Sequence, residues 1–122
     1  MKSLLAAWAA LGAVALPLAG RAAEPGETWK INGDFPGTIN YTVVCTLTAE
    51  GGHLAGPCKD DKGAVSAATG TAAGSAWELA YDTTYLGTAI HLDYKGDVQA
   101  DGTLKGSVDA GVAMGTFTAA RQ

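Results

Sequence analysis

Thr38-Ile39-Asn40-Tyr41-Thr42-Val43-Val44-Cys45-Thr46-Leu47-Thr48-Ala49-Glu50-Gly51-Gly52-His53-Leu54-Ala55-Gly56-Pro57-Cys58 is the stretch from which the fold can be read. Ile39, Tyr41, Val43, Cys45 and Leu47 alternate with Thr38, Asn40, Thr42, Val44, Thr46 and Thr48. An apolar face repeating every second residue is a half-buried strand. Gly51-Gly52 can adopt the positive φ angles of a primed two-residue turn, which makes the segment a hairpin. In that hairpin, facing residues have numbers summing to 103, and the chain's two cysteines, Cys45 and Cys58, meet that condition. Turn and register predict a disulfide across neighbouring strands, with Leu54, Gly56 and Cys58 on the face that carries Cys45.

The same pattern continues down the chain. Trp77, Leu79 and Tyr81 alternate with Glu78 and Asp82, and Ile90, Leu92, Tyr94, Gly96 and Val98 alternate with His91, Asp93, Lys95, Asp97 and Gln99. A two-residue Leu86-Gly87 loop sets Leu79 opposite Tyr94 and Tyr81 opposite Leu92, gathering Trp77, Leu79, Tyr81, Leu92 and Tyr94 into one patch. At Asp101-Gly102 a two-residue loop would oppose inward Val98 to outward Lys105. A three-residue loop, Ala100-Asp101-Gly102, instead pairs Val98 with Leu104 and puts glycine at the left-handed position. Strands are expected near 28–34, 38–49, 53–59, 64–72, 75–84, 88–99, 103–110 and 113–120. Short connections make them an all-β antiparallel meander, and about eight tilted strands close into a small barrel without exposed edges. A two-sheet β-sandwich satisfies the same alternation. The segment 64–72, rich in alanine and glycine, offers little bulk and is expected to be a thin wall.

Residues 1–22 read as a signal peptide: Lys2 opens it, an apolar run follows from Leu4 to Ala19, and small residues close it at Ala22-Ala23. The run is shorter than the roughly 20 residues of a spanning helix. What remains, 23–122, suffices for a single domain, expected to be periplasmic or secreted and without a membrane span. It carries six basic and twelve acidic residues, a net charge of −6. That charge disfavours nucleic acid and anionic membrane surfaces as partners.

Residues with catalytic potential are scattered. Ser66, Ser75 and Ser107 lack a nucleophile elbow, and His53 and His91 stand apart. His91 and Asp93 share a strand face but make only two of the three or four ligands a closed metal site needs. Asp60-Asp61, between Lys59 and Lys62, lacks the spaced oxygens of a calcium loop and reads as a charged turn. Twelve residues separate the cysteines, unlike a redox Cys-x-x-Cys, so the pair reads as structural. No enzyme activity, cofactor or metal site is expected. The aromatics Trp29, Tyr41, Trp77, Tyr81, Tyr94 and Phe117 all face inward. Of these, Tyr41, Trp77, Tyr81, Tyr94 and Phe117 are the candidate interior ligand contacts, whether they line a cavity or fill a core.

Tyr94-Lys95-Gly96-Asp97-Val98, Asp101-Gly102-Thr103-Leu104-Lys105-Gly106 and Gly115-Thr116-Phe117-Thr118-Ala119-Ala120-Arg121 together resemble the turn and closing-strand phrases of small exported bacterial β-barrel domains. Trp29, Gly52-His53-Leu54-Ala55-Gly56 and Trp77 fall where such domains carry similar residues. In general look the chain is similar to avidin-like and lipocalin-like barrels, although Glu27 stands where the lipocalin Gly-x-Trp signature has its glycine. The resemblance implies a barrel with a small lipophilic ligand inside. The alternative is a protein-interaction module, such as a periplasmic protease inhibitor using Glu24-Pro25-Gly26-Glu27 as a trunk. Nothing in the strand pattern specifies an oligomeric state.

Overall fold

The structure is a computed structural model that describes residues 27–122. The expected signal peptide, residues 1–22, and the trunk residues Glu24, Pro25 and Gly26 lie outside the described residues. Eight strands follow one another: β1 (Glu27–Phe35), β2 (Ile39–Glu50), β3 (His53–Asp60), β4 (Val65–Ala73), β5 (Ala76–Tyr85), β6 (Thr88–Val98), β7 (Leu104–Asp109) and β8 (Met114–Arg121). Each pairs antiparallel with the next, and β1 pairs with β8 to close the barrel. The closed meander is observed, not the sandwich.

The hairpin parities hold. Cys45 faces Cys58 and Glu50 faces His53 across the Gly51-Gly52 turn, where both glycines have positive φ. The two cysteines form a disulfide, buried on the inner face. Leu79 faces Tyr94 and Tyr81 faces Leu92 across Leu86-Gly87. Val98 faces Leu104 and Tyr94 faces Val108 across the three-residue loop, with Gly102 at φ +88°. Val98 has inward parity but is the last residue of its strand, at the end of the barrel, and is therefore exposed. Glu27, expected in a trunk, is the first residue of β1, paired with Leu47 and bridged to Arg121.

Several inward positions are glycine because neighbouring strands leave no room there. A Cβ on Gly106 would lie 1.9 Å from the Lys95 carbonyl oxygen, and one on Gly33 would lie 2.2 Å from Cζ of Tyr41. Absent side chains thus let the small barrel coil tightly and let the Tyr41 ring lie over β1. The thin strand β4 contributes Ala68 to the core, and its pairings with β3 and β5 complete the wall.

Odd-numbered strands run from one end of the barrel, here the base, to the other, the mouth. The base carries the hairpins at Gly51-Gly52 and Gly74-Ser75, the loop at Asp101-Gly102, and the ends of β1 and β8. It is filled by Trp29, Leu47, Leu54, Trp77, Leu104 and Ala119. Trp29 and Trp77 have ring centroids 6.2 Å apart, and the Arg121 guanidinium lies 5.0 Å over Trp29, a cation on the ring face. Trp77 is 6.0 Å from Phe117, and Phe117 meets Tyr94 edge to face at 5.1 Å. The rings therefore form a continuous plug from the base to mid-barrel.

Candidate functional site

Above that plug the packing opens. A cavity of about 350 Å³ occupies the mouth. Its apolar wall includes Phe35, Ile39, Val43, Ile90 and Leu92, with Ser66 and Thr83 as smaller inward residues. Small side chains on β4 and β5 leave the volume that larger ones would fill. Apolar clefts of this size accommodate small organic molecules.

Tyr41 and Tyr81 project their rings into the cavity wall, while Tyr94 lies wholly buried beneath them. The three hydroxyls meet in a chain. Tyr94 Oη is 2.8 Å from Tyr41 Oη and 2.7 Å from Tyr81 Oη, and in each pair either oxygen can be the donor. Burial raises all three pKa values above the ordinary tyrosine range. For Tyr94 the charges that Tyr81 and Tyr41 would carry push in the same direction. At neutral pH the chain is three phenols, each with one proton to give and lone pairs to receive.

The candidate interior residues therefore divide by height. Tyr41 and Tyr81 line the cavity, Tyr94 supports it from below, and Phe117 and Trp77 lie in the packed plug toward the base. Among the cavity residues not named in the sequence reading are Phe35 near the first turn, Thr83 and Tyr85 on β5, and Ala110, Val112 and Ala113 in the last loop. Alternation alone marks the strand residues among them as inward but says nothing of which end they line.

The rim is formed by the loops between β1 and β2, β3 and β4, β5 and β6, and β7 and β8. Asp60 shapes the second of these: its Oδ1 accepts the backbone N–H groups of Lys62 and Ala64, both at 2.9 Å. That accounts for Asp60-Asp61 as a turn. At the third loop Leu86 is 86% exposed with φ +50°, a conformation rare for a branched side chain. Val112 in the fourth is 92% exposed.

Outside the barrel, His91 faces solvent. Its Nδ1 lies 2.7 Å from Asp82 Oδ1 on the paired strand, and its Nε2 lies 3.5 Å from Asp93. The hydrogen bond to Asp82 raises its pKa. Among the described residues no group of three metal-ligating side chains converges. A second depression, about 410 Å³, lies over β1, β2 and β8 and is bordered by outward Asn32, Asp34, Asn40, Thr116 and Thr118. It is more open to solvent than the mouth cavity, and Tyr41 and Phe117 also border it.

No family model, curated protein or solved structure matches the chain.

Proposed function

We propose that the protein is a non-catalytic binding module for a small apolar or aromatic molecule, which it holds in the mouth of the barrel. The supporting observation is the 350 Å³ cavity, whose walls are largely apolar, with the Tyr41 and Tyr81 hydroxyls joined through Tyr94 at its inner end and charged residues in the loop after β3. That combination gives a guest both a driving force and an orientation. The Cys45–Cys58 disulfide supports a periplasmic or secreted setting, since such bridges persist in oxidising compartments.

The test uses N-phenyl-1-naphthylamine, whose fluorescence rises in apolar surroundings. Saturable enhancement is expected with the wild-type barrel, and loss of it in Ser66→Phe, which fills the cavity from the thin wall. No enhancement with the wild type, or equal enhancement in both proteins, would remove the ligand reading.

A second reading is a protein-interaction module, such as an inhibitor of exported proteases. The observation that favours it is the pair of exposed apolar loop tips, Leu86 and Val112. The discriminating assay is inhibition of a serine protease and a metalloprotease by the wild type and by Leu86→Asp with Val112→Asp. Inhibition by the wild type that the pair abolishes, together with no naphthylamine enhancement in the wild type, would favour this reading over the first.

A further inference from the structure

The number of protons in the tyrosine chain constrains the guest. Three phenols carry three protons, and the two contacts at 2.8 and 2.7 Å use two of them. If Tyr94 donates to either neighbour, the other neighbour donates to Tyr94 and the spare proton sits on the accepting end. If both neighbours donate to Tyr94, its own proton is spare. Every arrangement leaves one donor without a partner inside the chain. Among the described residues no further hydrogen bond joins Tyr41, Tyr81 or Tyr94 to another side chain. Lone pairs are in excess, so an incoming donor is not required. An incoming acceptor is.

A buried donor left unmet keeps its full desolvation penalty, so a guest that displaces solvent from the floor must replace what solvent gave. We infer that the cavity selects an uncharged, largely aromatic or aliphatic molecule whose buried end carries a hydrogen-bond acceptor, a ketone, ester or ether oxygen. The acceptor belongs to a neutral group because Asp60 and Asp61 border the cavity at its rim, with Lys62 as the one cation beside them. A carboxylate would enter beside two like charges. This inference rests on the proposed ligand-binding reading and makes it specific.

Two ligands of nearly one shape test it: 2-acetylnaphthalene, and 2-isopropenylnaphthalene, in which CH₂ replaces the carbonyl oxygen. Both are titrated calorimetrically into the wild type and into Tyr41→Phe with Tyr81→Phe, whose fold is checked by circular dichroism. The difference between ligands in water cancels when the two proteins are compared. The ratio of ketone to alkene affinity is expected to fall about tenfold in the double variant, in keeping with the loss of one buried hydrogen bond. An unchanged ratio with both ligands still bound overturns the acceptor inference and leaves the cavity reading standing. Binding of neither ligand to the wild type overturns both. In the unaltered protein, independent of any variant, the infrared carbonyl stretch of bound 2-acetylnaphthalene should fall below its value in hexane. A stretch at the hexane value also overturns the inference. Finally, 2-naphthoate should bind more weakly than the ketone, and tighter binding would refute the preference for a neutral head.

Discussion

Truncating one residue at each end of the barrel should give very different costs. Trp77 is 5% exposed and wedged between Trp29 and Phe117 at the filled end. Trp77→Ala opens a void with nothing to collapse into it, so the cost should be about 3–5 kcal/mol. Ile90 lines the existing cavity and is only partly buried. Ile90→Ala removes three carbons, about 2.4 kcal/mol at roughly 0.8 per fully buried group, and about half that for a half-buried side chain. Space is already present beside it, so the void adds little. The expected cost is about 1 kcal/mol. Urea melts followed by circular dichroism, with unchanged slopes, measure both. A domain of this size has about 5–10 kcal/mol in hand, so Trp77→Leu serves if the alanine variant does not fold. Equal costs at the two ends, or a Trp77 cost below about 1.5 kcal/mol, would mean that the plug and the cavity are wrongly assigned.

Reducing the Cys45–Cys58 bridge, which spans a sequence separation of 13, should lower stability by roughly 3 kcal/mol on the chain-entropy account, read as a fall in the urea midpoint. Leu86→Asn should raise stability by about 1 kcal/mol, because asparagine tolerates the φ of +50° that leucine adopts there. A thermal midpoint some 4–8 °C higher would show it, and no change would mean that the turn holds no strain. The tyrosines set the alkaline limit. Their folded pKa values are raised, so the associated stability is complete below the unfolded tyrosine value near 10 and is lost as pH rises above it. Tyr81 and Tyr94 together should steepen the decline by up to about 2.7 kcal/mol per pH unit. Tyr81→Phe should make the alkaline transition visibly shallower by circular dichroism, and an unchanged slope would contradict the shared burial.

The register of three hairpins was legible because turn chemistry and side-chain parity act locally. Gly51-Gly52, Leu86-Gly87 and Gly102 each commit a few neighbours, and the cysteines provided an independent check at long reach. Closure was less legible, since pairing of β1 with β8 joins segments nearly a whole domain apart with no turn between them. The hydroxyl chain could not be seen at all. Tyr41 and Tyr94 sit on β2 and β6, strands that never pair, and meet only across the interior. Alternation marked both as inward, but not their height or their contact. Gly33 is the nearest thing to a sequence signal for that meeting, because its missing side chain makes room for the Tyr41 ring, and a lone glycine in a strand has many other uses.

The salt bridge between Glu27 and Arg121 implies more than a stapled seam. Together with the bond from Gln122 N–H to the Thr28 carbonyl, it sets the two ends of the barrel's chain side by side at the base. The domain is therefore a polar object in the geometric sense, with Glu27 and Gln122 at one pole and the open cavity at the other. A tag, surface anchor or fused neighbour joined at Gln122 would hold the barrel by its base and leave the mouth facing outward. The same adjacency makes the fold a candidate for circular permutation: a short linker from 122 to 27, with new ends opened between Gly51 and Gly52, would alter only the base.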